Sequence, residues 1–217
     1  MKKNISRATI DRLPLYYRML KSFQEKGEQT ISSEELSRPL KITPEQIRKD
    51  LTTFGNFGRK GVGYDIDELI NKISQILGLQ HHWHLAIIGV GHLGAALANY
   101  KNFSELGFKI VALIDIDERI IGSEINEVKI YDYKNLKSLV HRKQIDIGVI
   151  TVPANSAQAV ADSLVEANIR GIWNFAPVKL EVPENIPLIN EDLSIGMCSL
   201  SYQLAKLEDS RSGYKIF

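Results

Sequence analysis

The sequence has one cysteine, Cys198, so no intrachain disulfide framework is available and a reducing compartment is implied. No apolar run reaches the roughly 18–20 residues needed to cross a bilayer. The start, MKKNISRATIDRL, carries basic residues but no apolar stretch of the kind a secretory signal needs. A cytoplasmic protein without a membrane partner is expected. Internal repeats and low-complexity tracts are absent, which excludes solenoids and flexible scaffolds. Net charge is almost absent too: 27 Lys and Arg stand against 26 Asp and Glu.

That near-zero total conceals an uneven distribution. Residues 1–63 hold thirteen basic against seven acidic side chains, whereas residues 81–217 hold thirteen against sixteen. A basic front on an acidic body suggests a nucleic-acid-binding module joined to something else. At 217 residues, 44% hydrophobic and 24% charged, the chain can bury the cores of two small domains.

The front reads as helices. Leu13, Tyr16, Tyr17, Leu20 and Phe23 have helical spacing in a segment from Asp11 to Lys26, with Pro14 in the first turn and Gly27 as the stop. Ser32 and Glu35 have capping-box spacing and open a second helix that is expected to end before Pro39. Thr43, Pro44 and Gln46 supply an N-cap, a first-turn proline and a second box for a helix from Pro44 to Phe54. Ile47, Leu51 and Phe54 form its apolar stripe, while Lys49, Thr52 and Thr53 point away and Gln46 and Arg48 flank it. Four glycines around Arg59-Lys60 then predict a β-hairpin, and a fourth helix follows near Asp67 to Leu77. Three helices and a basic hairpin describe a winged helix-turn-helix. Its third helix would lie in the major groove, offering Gln46, Arg48, Lys49 and Thr52, with Arg59 and Lys60 at the adjacent minor groove. An ordinary solvated basic face is the alternative reading of the same residues.

Beyond residue 80 strands alternate with helices, the pattern of a parallel α/β sheet. Strands are predicted at Trp83–Ile88, Ile110–Ile114, Ile145–Thr151, Gly171–Phe175 and Pro187–Asn190, with helices at Leu93–Tyr100, Asn135–Arg142 and Ser156–Asn168. Gly89-Val90-Gly91-His92-Leu93-Gly94 is G-x-G-x-x-G. It follows an apolar strand, opens a helix and precedes a second strand ending in Asp115, 21 residues past Gly94. In that context Gly89 permits the turn, Gly91 lets backbone N–H groups approach a pyrophosphate, and Gly94 allows close packing. Asp115 can accept ribose hydroxyls and would repel a 2′-phosphate, which favours NADH or NAD⁺; Arg119 nearby slightly weakens that preference. Val152-Pro153 and Asn174-Phe175-Ala176-Pro177 follow later strands and would surround the nicotinamide, or equally form plain core. Apolar surroundings there favour the neutral dihydronicotinamide over the cation.

Catalytic and metal-binding residues are not expected. His92 lies inside the phosphate loop and His141 in a helix. His81-His82-Trp83-His84 lacks a Cys, Asp or Glu partner at zinc-like spacing and reads as a linker. The alternative of an NAD-dependent oxidoreductase with a helical appendage needs a substrate domain, and only 27 residues follow Asn190. CoA or ADP on a similar site is a second alternative. Cys198 falls among apolar residues and reads as core. Leu193, Met197, Leu200, Leu204 and Leu207 repeat at spacings of 4, 3, 4 and 3. Such a short stripe must bury itself, either on its own Rossmann domain or on a second copy.

These motifs together resemble the Rex family of redox-sensing repressors. Leu13-Pro14-Leu15-Tyr16, Ile31 to Leu36, Gln46 to Leu51, Phe54-Gly55, Gly61 to Asp65, the glycine fingerprint and Trp173 to Pro177 carry the resemblance, over residues 5–207. The resemblance implies a homodimer on an inverted repeat of operator DNA that lets go when NADH binds. It implies that Arg48 and Lys49 address the major groove and Lys60 the wing contact. It also implies an interdomain polar contact among Arg18, Tyr100 and Asp192 of the partner subunit, and a C-terminal helix that crosses to the partner. The expected fold class is therefore α/β: a winged-helix domain at 1–80, a Rossmann domain at 81–192, and a dimerisation helix with a loose tail at 193–217.

Overall fold

A computed structural model describes residues 5–55, 58–59 and 63–212, with side chains omitted at 59 and 209–212. The chain divides into two compact units, Met1–His81 and His82–Phe217. Lys60, assigned to the wing tip, and the tail residues 213–217 lie outside the described residues.

The first unit opens with α1 (Arg7–Glu25), which begins earlier than Asp11 because the Ser6 hydroxyl caps it by accepting from Thr9 N. Pro14 consequently sits inside the helix rather than in its first turn. After β1 (Thr30–Ile31), α2 (Ser33–Leu40) starts at the Ser32–Glu35 capping box and runs through Pro39 instead of ending before it. It stops at Lys41, which is left-handed and returns its N–H to Ser37. Next come α3 (Pro44–Thr52), β2 (Gly58–Arg59), β3 (Gly63–Asp65) and α4 (Ile66–Leu77).

The three strands form an antiparallel sheet in the order β1-β3-β2, the winged-helix arrangement. Gly63 has φ +94°, and a side chain there would meet the Ile31 carbonyl oxygen at 2.6 Å, so the central strand requires glycine. Leu13, Tyr16 and Leu20 of α1 pack with Ile47 and Leu51 of α3 and with Leu69 and Ile73 of α4 in one core.

The second unit runs β4 (Trp83–Ile88), α5 (His92–Ala98), α6 (Asn102–Glu105), β5 (Phe108–Asp115), β6 (Glu124–Ile125) and β7 (Val128–Asp132). A short 3-10 turn then leads into α7 (Leu136–Arg142), β8 (Ile147–Ile150), α8 (Ala154–Glu166), β9 (Gly171–Asn174), β10 (Leu188–Asn190) and α9 (Leu193–Ser212). Its sheet has the order β10-β9-β8-β4-β5-β7-β6, parallel throughout except for the antiparallel edge strand β6. The parallel strands follow the doubly wound order, which reverses between β4 and β8.

Side-chain alternation shows why both faces are covered. Leu85 and Ile87 of β4 face one core, with Leu113 and Val149, while Ala86 and Ile88 face the other, with α7 and α8. The helix α9 stands apart: its Leu, Ile, Met and Tyr side chains are all exposed, among them Leu193, Met197 and Tyr202. Among the described residues, none of these side chains is buried against its own Rossmann unit. Cys198, expected in a core, is exposed on this helix for the same reason.

Candidate functional site

The glycine loop joins the end of β4 to α5, at the point where the strand order reverses. Gly89 has φ +94°, and a Cβ there would lie 2.8 Å from Val152 Cγ1 and 2.9 Å from the Thr151 carbonyl oxygen. At Gly94, a buried residue of α5, a Cβ would strike the Gly89 carbonyl oxygen. Those two positions need glycine for the fold itself. Gly91 does not: its backbone is extended, and a Cβ would meet nothing within 4 Å.

Thr151, which the sequence reading passed over, fastens the loop by donating its hydroxyl to Gly89 O at 2.6 Å. Asp115 fastens it from the other side. Its Oδ2 accepts from Val90 N at 2.5 Å, and its Oδ1 accepts from Ile116 N and Asp117 N at 2.7 and 2.9 Å. A carboxylate has about four acceptor sites, so an acceptor position remains for a ligand hydroxyl. Arg119 is taken up by Asp117 through Nε and Nη2. That pairing, chiefly the Arg119 hydrogen bonds, draws the Asp117 carboxyl down to about 2.

A cleft of about 650 Å³ opens above this loop, with Gly89, Gly91, Asp115, Val152, Pro153 and Phe175 in its lining. Leu93 also lines it, whereas Val90 is buried and His92 is exposed at the start of α5. Asn174, Ala176 and Pro177, expected beside the nicotinamide, are not in the lining. Asn174 is fully buried, and its amide donates to Ala176 O, Val178 O and Asn190 Oδ1 while accepting from Ala176 N. It knots the loop after β9 to β10. Ala176 and Pro177 line a separate recess of about 320 Å³ that also includes Asp192.

Aromatic rings lead away from the cleft. Phe175 lies 4.6 Å from Trp173, which lies 5.8 Å from Phe103, which is 4.9 Å from the half-exposed Tyr100, centroid to centroid. Arg18 is exposed on α1 of the first unit. Asp192 accepts from Ser194 N and Oγ at 2.8 and 2.6 Å, and these bonds lower its carboxyl below the ordinary range.

In the first unit the outer face of α3 carries Arg48, Lys49 and Thr52, all exposed. The Lys49 ammonium is free among the described residues. The Thr52 hydroxyl returns to Arg48 O at 2.8 Å. Gln46 does not close a capping box; its amide donates to Asp50 Oδ1 at 2.8 Å. Arg48 is bound by Ser33, Glu34 and Glu45. Arg59 lies in β2, its side chain outside the described residues.

Beneath that face sits a group the sequence reading missed. Asp50 is 1% exposed and accepts from Arg12 Nε and Nη2 at 2.6 and 2.7 Å, Tyr16 OH at 2.7 Å and Thr9 Oγ1 at 3.2 Å. Burial alone would raise its carboxyl, but hydrogen bonds from Arg12, Tyr16 and Gln46 outweigh that and hold it below the usual range. Burial, and after it the hydrogen bond to Asp50, push the Tyr16 hydroxyl up. One clue was available: at i and i+4 on α1, Arg12 and Tyr16 share a face.

A winged helix carrying a basic outer face, followed by a Rossmann unit with a phosphate-type glycine loop, defines a nucleotide-responsive transcriptional regulator. The comparisons agree with that class. Residues 4–52 match the model described as a putative DNA-binding protein N-terminus, and residues 80–178 match the CoA binding domain. A redox-sensing transcriptional repressor Rex of Clostridium perfringens is 47% identical, covering 94% of this chain and 96% of its own. One from Clostridium botulinum is 46% identical, covering 95% and 99%. Among solved structures, RSP in complex with β-NAD⁺ and operator DNA is similar with a TM-score of 0.90, 41% identity and 95% of each chain covered. RSP in complex with β-NADH gives 0.88 and 39%, covering 98% of this chain and 100% of that one. The chain belongs to the Rex family of redox-sensing transcriptional repressors. It is grouped with repressors and not with the oxidoreductases considered from sequence. Among the described residues no helix is long and apolar enough to cross a membrane, and no three His, Cys, Asp or Glu side chains form a metal cluster.

Proposed function

We propose that this protein binds operator DNA as a cytoplasmic homodimer and releases it when the NADH/NAD⁺ ratio rises. The observation that carries the reading is the cleft at the strand-order reversal. It has an open Gly91 and the carboxylate of Asp115 at one side and the apolar Val152, Pro153 and Phe175 elsewhere in its lining. A pyrophosphate fits the loop, the ribose hydroxyls fit Asp115, and an apolar lining favours dihydronicotinamide over the charged ring. The similarity to RSP, solved with β-NAD⁺ and operator DNA and with β-NADH, supports both ligands.

On the DNA side Arg48, Lys49 and Thr52 address the major groove, with Arg59 and Lys60 at the wing; Gln46 contributes chiefly through Asp50. Winged-helix, Rossmann and arm segments run 1–80, 81–192 and 193–217. The arm α9 is apolar on two opposite faces, with Leu193, Met197, Leu200, Leu204 and Leu207 on one and Ile195 and Tyr202 on the other, all exposed. A helix apolar on opposite faces suits insertion between two surfaces of a second copy. Arg18, Tyr100 and Asp192 of the partner subunit are the polar contact that distinguishes the two states. The aromatic chain from Phe175 to Tyr100 gives the cleft a physical connection to that contact.

Operator affinity measured during an NADH titration, with NAD⁺ in parallel, tests the reading. NADH is expected to weaken binding about 5–150-fold, a usual allosteric range, and DNA must weaken NADH binding by the same factor. An operator affinity unchanged at saturating NADH excludes the sensor role.

A further inference from the structure

Arg48 is the base-reading candidate on α3, yet its guanidinium is largely committed to its own protein. Nη1 donates to Ser33 Oγ at 2.6 Å and to Glu34 Oε1 at 2.9 Å, and Nη2 donates to Glu45 Oε1 at 3.0 Å. A guanidinium has five N–H donors. Three are engaged, so the Nε proton and one Nη2 proton remain.

The two carboxylates belong to different helices, α2 and α3, and their side chains are 58% and 75% exposed. Exposed ion pairs of this kind add little to folding stability. Negative charge on a face that approaches phosphates also opposes DNA binding. Both acids stand in the first turns of their helices, where the dipole favours them, but neither that placement, nor ion-pair strength, nor DNA affinity accounts for two of them gripping this arginine. Orientation does. A free arginine samples many rotamers and can reach a phosphate as readily as a base edge. Held on three bonds from two helices, it presents its remaining protons in one direction.

We propose that Glu34 and Glu45 are positioning residues that aim Arg48 at one base of each half-site, raising sequence discrimination at the expense of non-specific phosphate affinity. This rests on the reading of α3 as the helix in the major groove. Ser33, a buried residue of α2, completes the grip and anchors it to the protein interior.

The test compares two duplexes: one selected from a random pool by the wild-type protein, and a scrambled duplex of equal length and composition. Full-length Glu34→Ala/Glu45→Ala is expected to bind the scrambled duplex several-fold more tightly. Its ratio of selected to scrambled affinity is expected to fall about tenfold, within the range of one bidentate base contact. In an Arg48→Ala background the same two substitutions should leave the ratio where Arg48→Ala alone sets it, since they act through Arg48. Glu34→Gln/Glu45→Gln keeps side-chain size and amide acceptors, and should lose less discrimination than the alanine pair. If the alanine pair keeps the wild-type ratio while Arg48→Ala lowers it, the positioning role is wrong and the reading helix stands. If Arg48→Ala itself keeps the wild-type ratio, Arg48 reads no base, so the positioning fails and base reading by α3 falls to Lys49 and Thr52.

Discussion

At the scale of single residues the three loop glycines separate into two kinds. Gly89 and Gly94 are glycine for internal reasons, a positive φ at one and a carbonyl in the way at the other. Gly91 has neither constraint, so its lack of a side chain serves whatever occupies the space beside it. Gly91→Val is therefore expected to melt no more than about 2–4 degrees lower, for its poorer N-cap on α5, and to lose dinucleotide binding, because the added methyls stand where a pyrophosphate must approach. Calorimetric titration with NADH beside a thermal scan checks both halves; tight NADH binding by the variant would place the phosphates elsewhere. Asp115→Ala should behave differently. It removes a ribose acceptor and the repulsion that disfavours NADPH, but it also strips three backbone N–H groups of their acceptor. Weakened NADH binding, narrowed discrimination against NADPH and a lowered melting temperature are expected together.

At the scale of elements the buried Asp50 is the bracket between α1 and α3. Asp50→Ala would leave the Arg12 guanidinium and the buried Tyr16 hydroxyl without their acceptor. The cost is expected to be about 2–4 kcal/mol, toward the lower end because Arg12 keeps some access to water. The pH dependence has a definite sign. Because the folded carboxyl lies below its ordinary value, its contribution is complete above about pH 4, where the unfolded group is ionised. It is lost as pH falls through the folded value. The gap in unfolding free energy between wild type and Asp50→Asn should be flat at neutral pH and close on acidification; a gap that widens in acid would contradict the assignment.

This bracket also marks a limit of legibility. The helix starts at Ser32 and Thr43 and the β4-loop-α5 unit could be read directly, because capping and glycine rules are local. Asp50 could not, since its partners on α1 sit 34 to 41 residues away. The β6–β7 hairpin escaped for a different reason. Its turn residues Asn126 and Glu127 both have positive φ, at 49° and 64°, and a glutamate there carries no turn signal. That Asn174 closes a loop was not legible either, because a strand-end amide beside an apolar turn looks the same whether it faces a ligand or ties the turn.

At the scale of the whole molecule the decisive feature is an arm whose large apolar side chains stand in solvent. Seven large apolar side chains of α9 are between 48% and 68% exposed, on opposite faces of one helix. Leaving that much contiguous apolar surface in water is unfavourable, and burying it is the main driving force available for association. Since these apolar side chains of α9 lie exposed, removing the helix takes little from the fold of one chain and a great deal from assembly. Truncation after Asn190 is thus expected to give a folded monomer by light scattering. Its melting temperature should not change with protein concentration, whereas that of the full chain should rise with concentration, as mass action requires of a dimer. The monomer should retain weak NADH binding, because the cleft is built within one unit, and should lose high-affinity operator binding, because an inverted repeat demands two winged helices held at a fixed spacing. A truncated protein that stays dimeric and still releases DNA on NADH would move the dimer contact, and any coupling between dinucleotide and DNA that depends on it, away from α9.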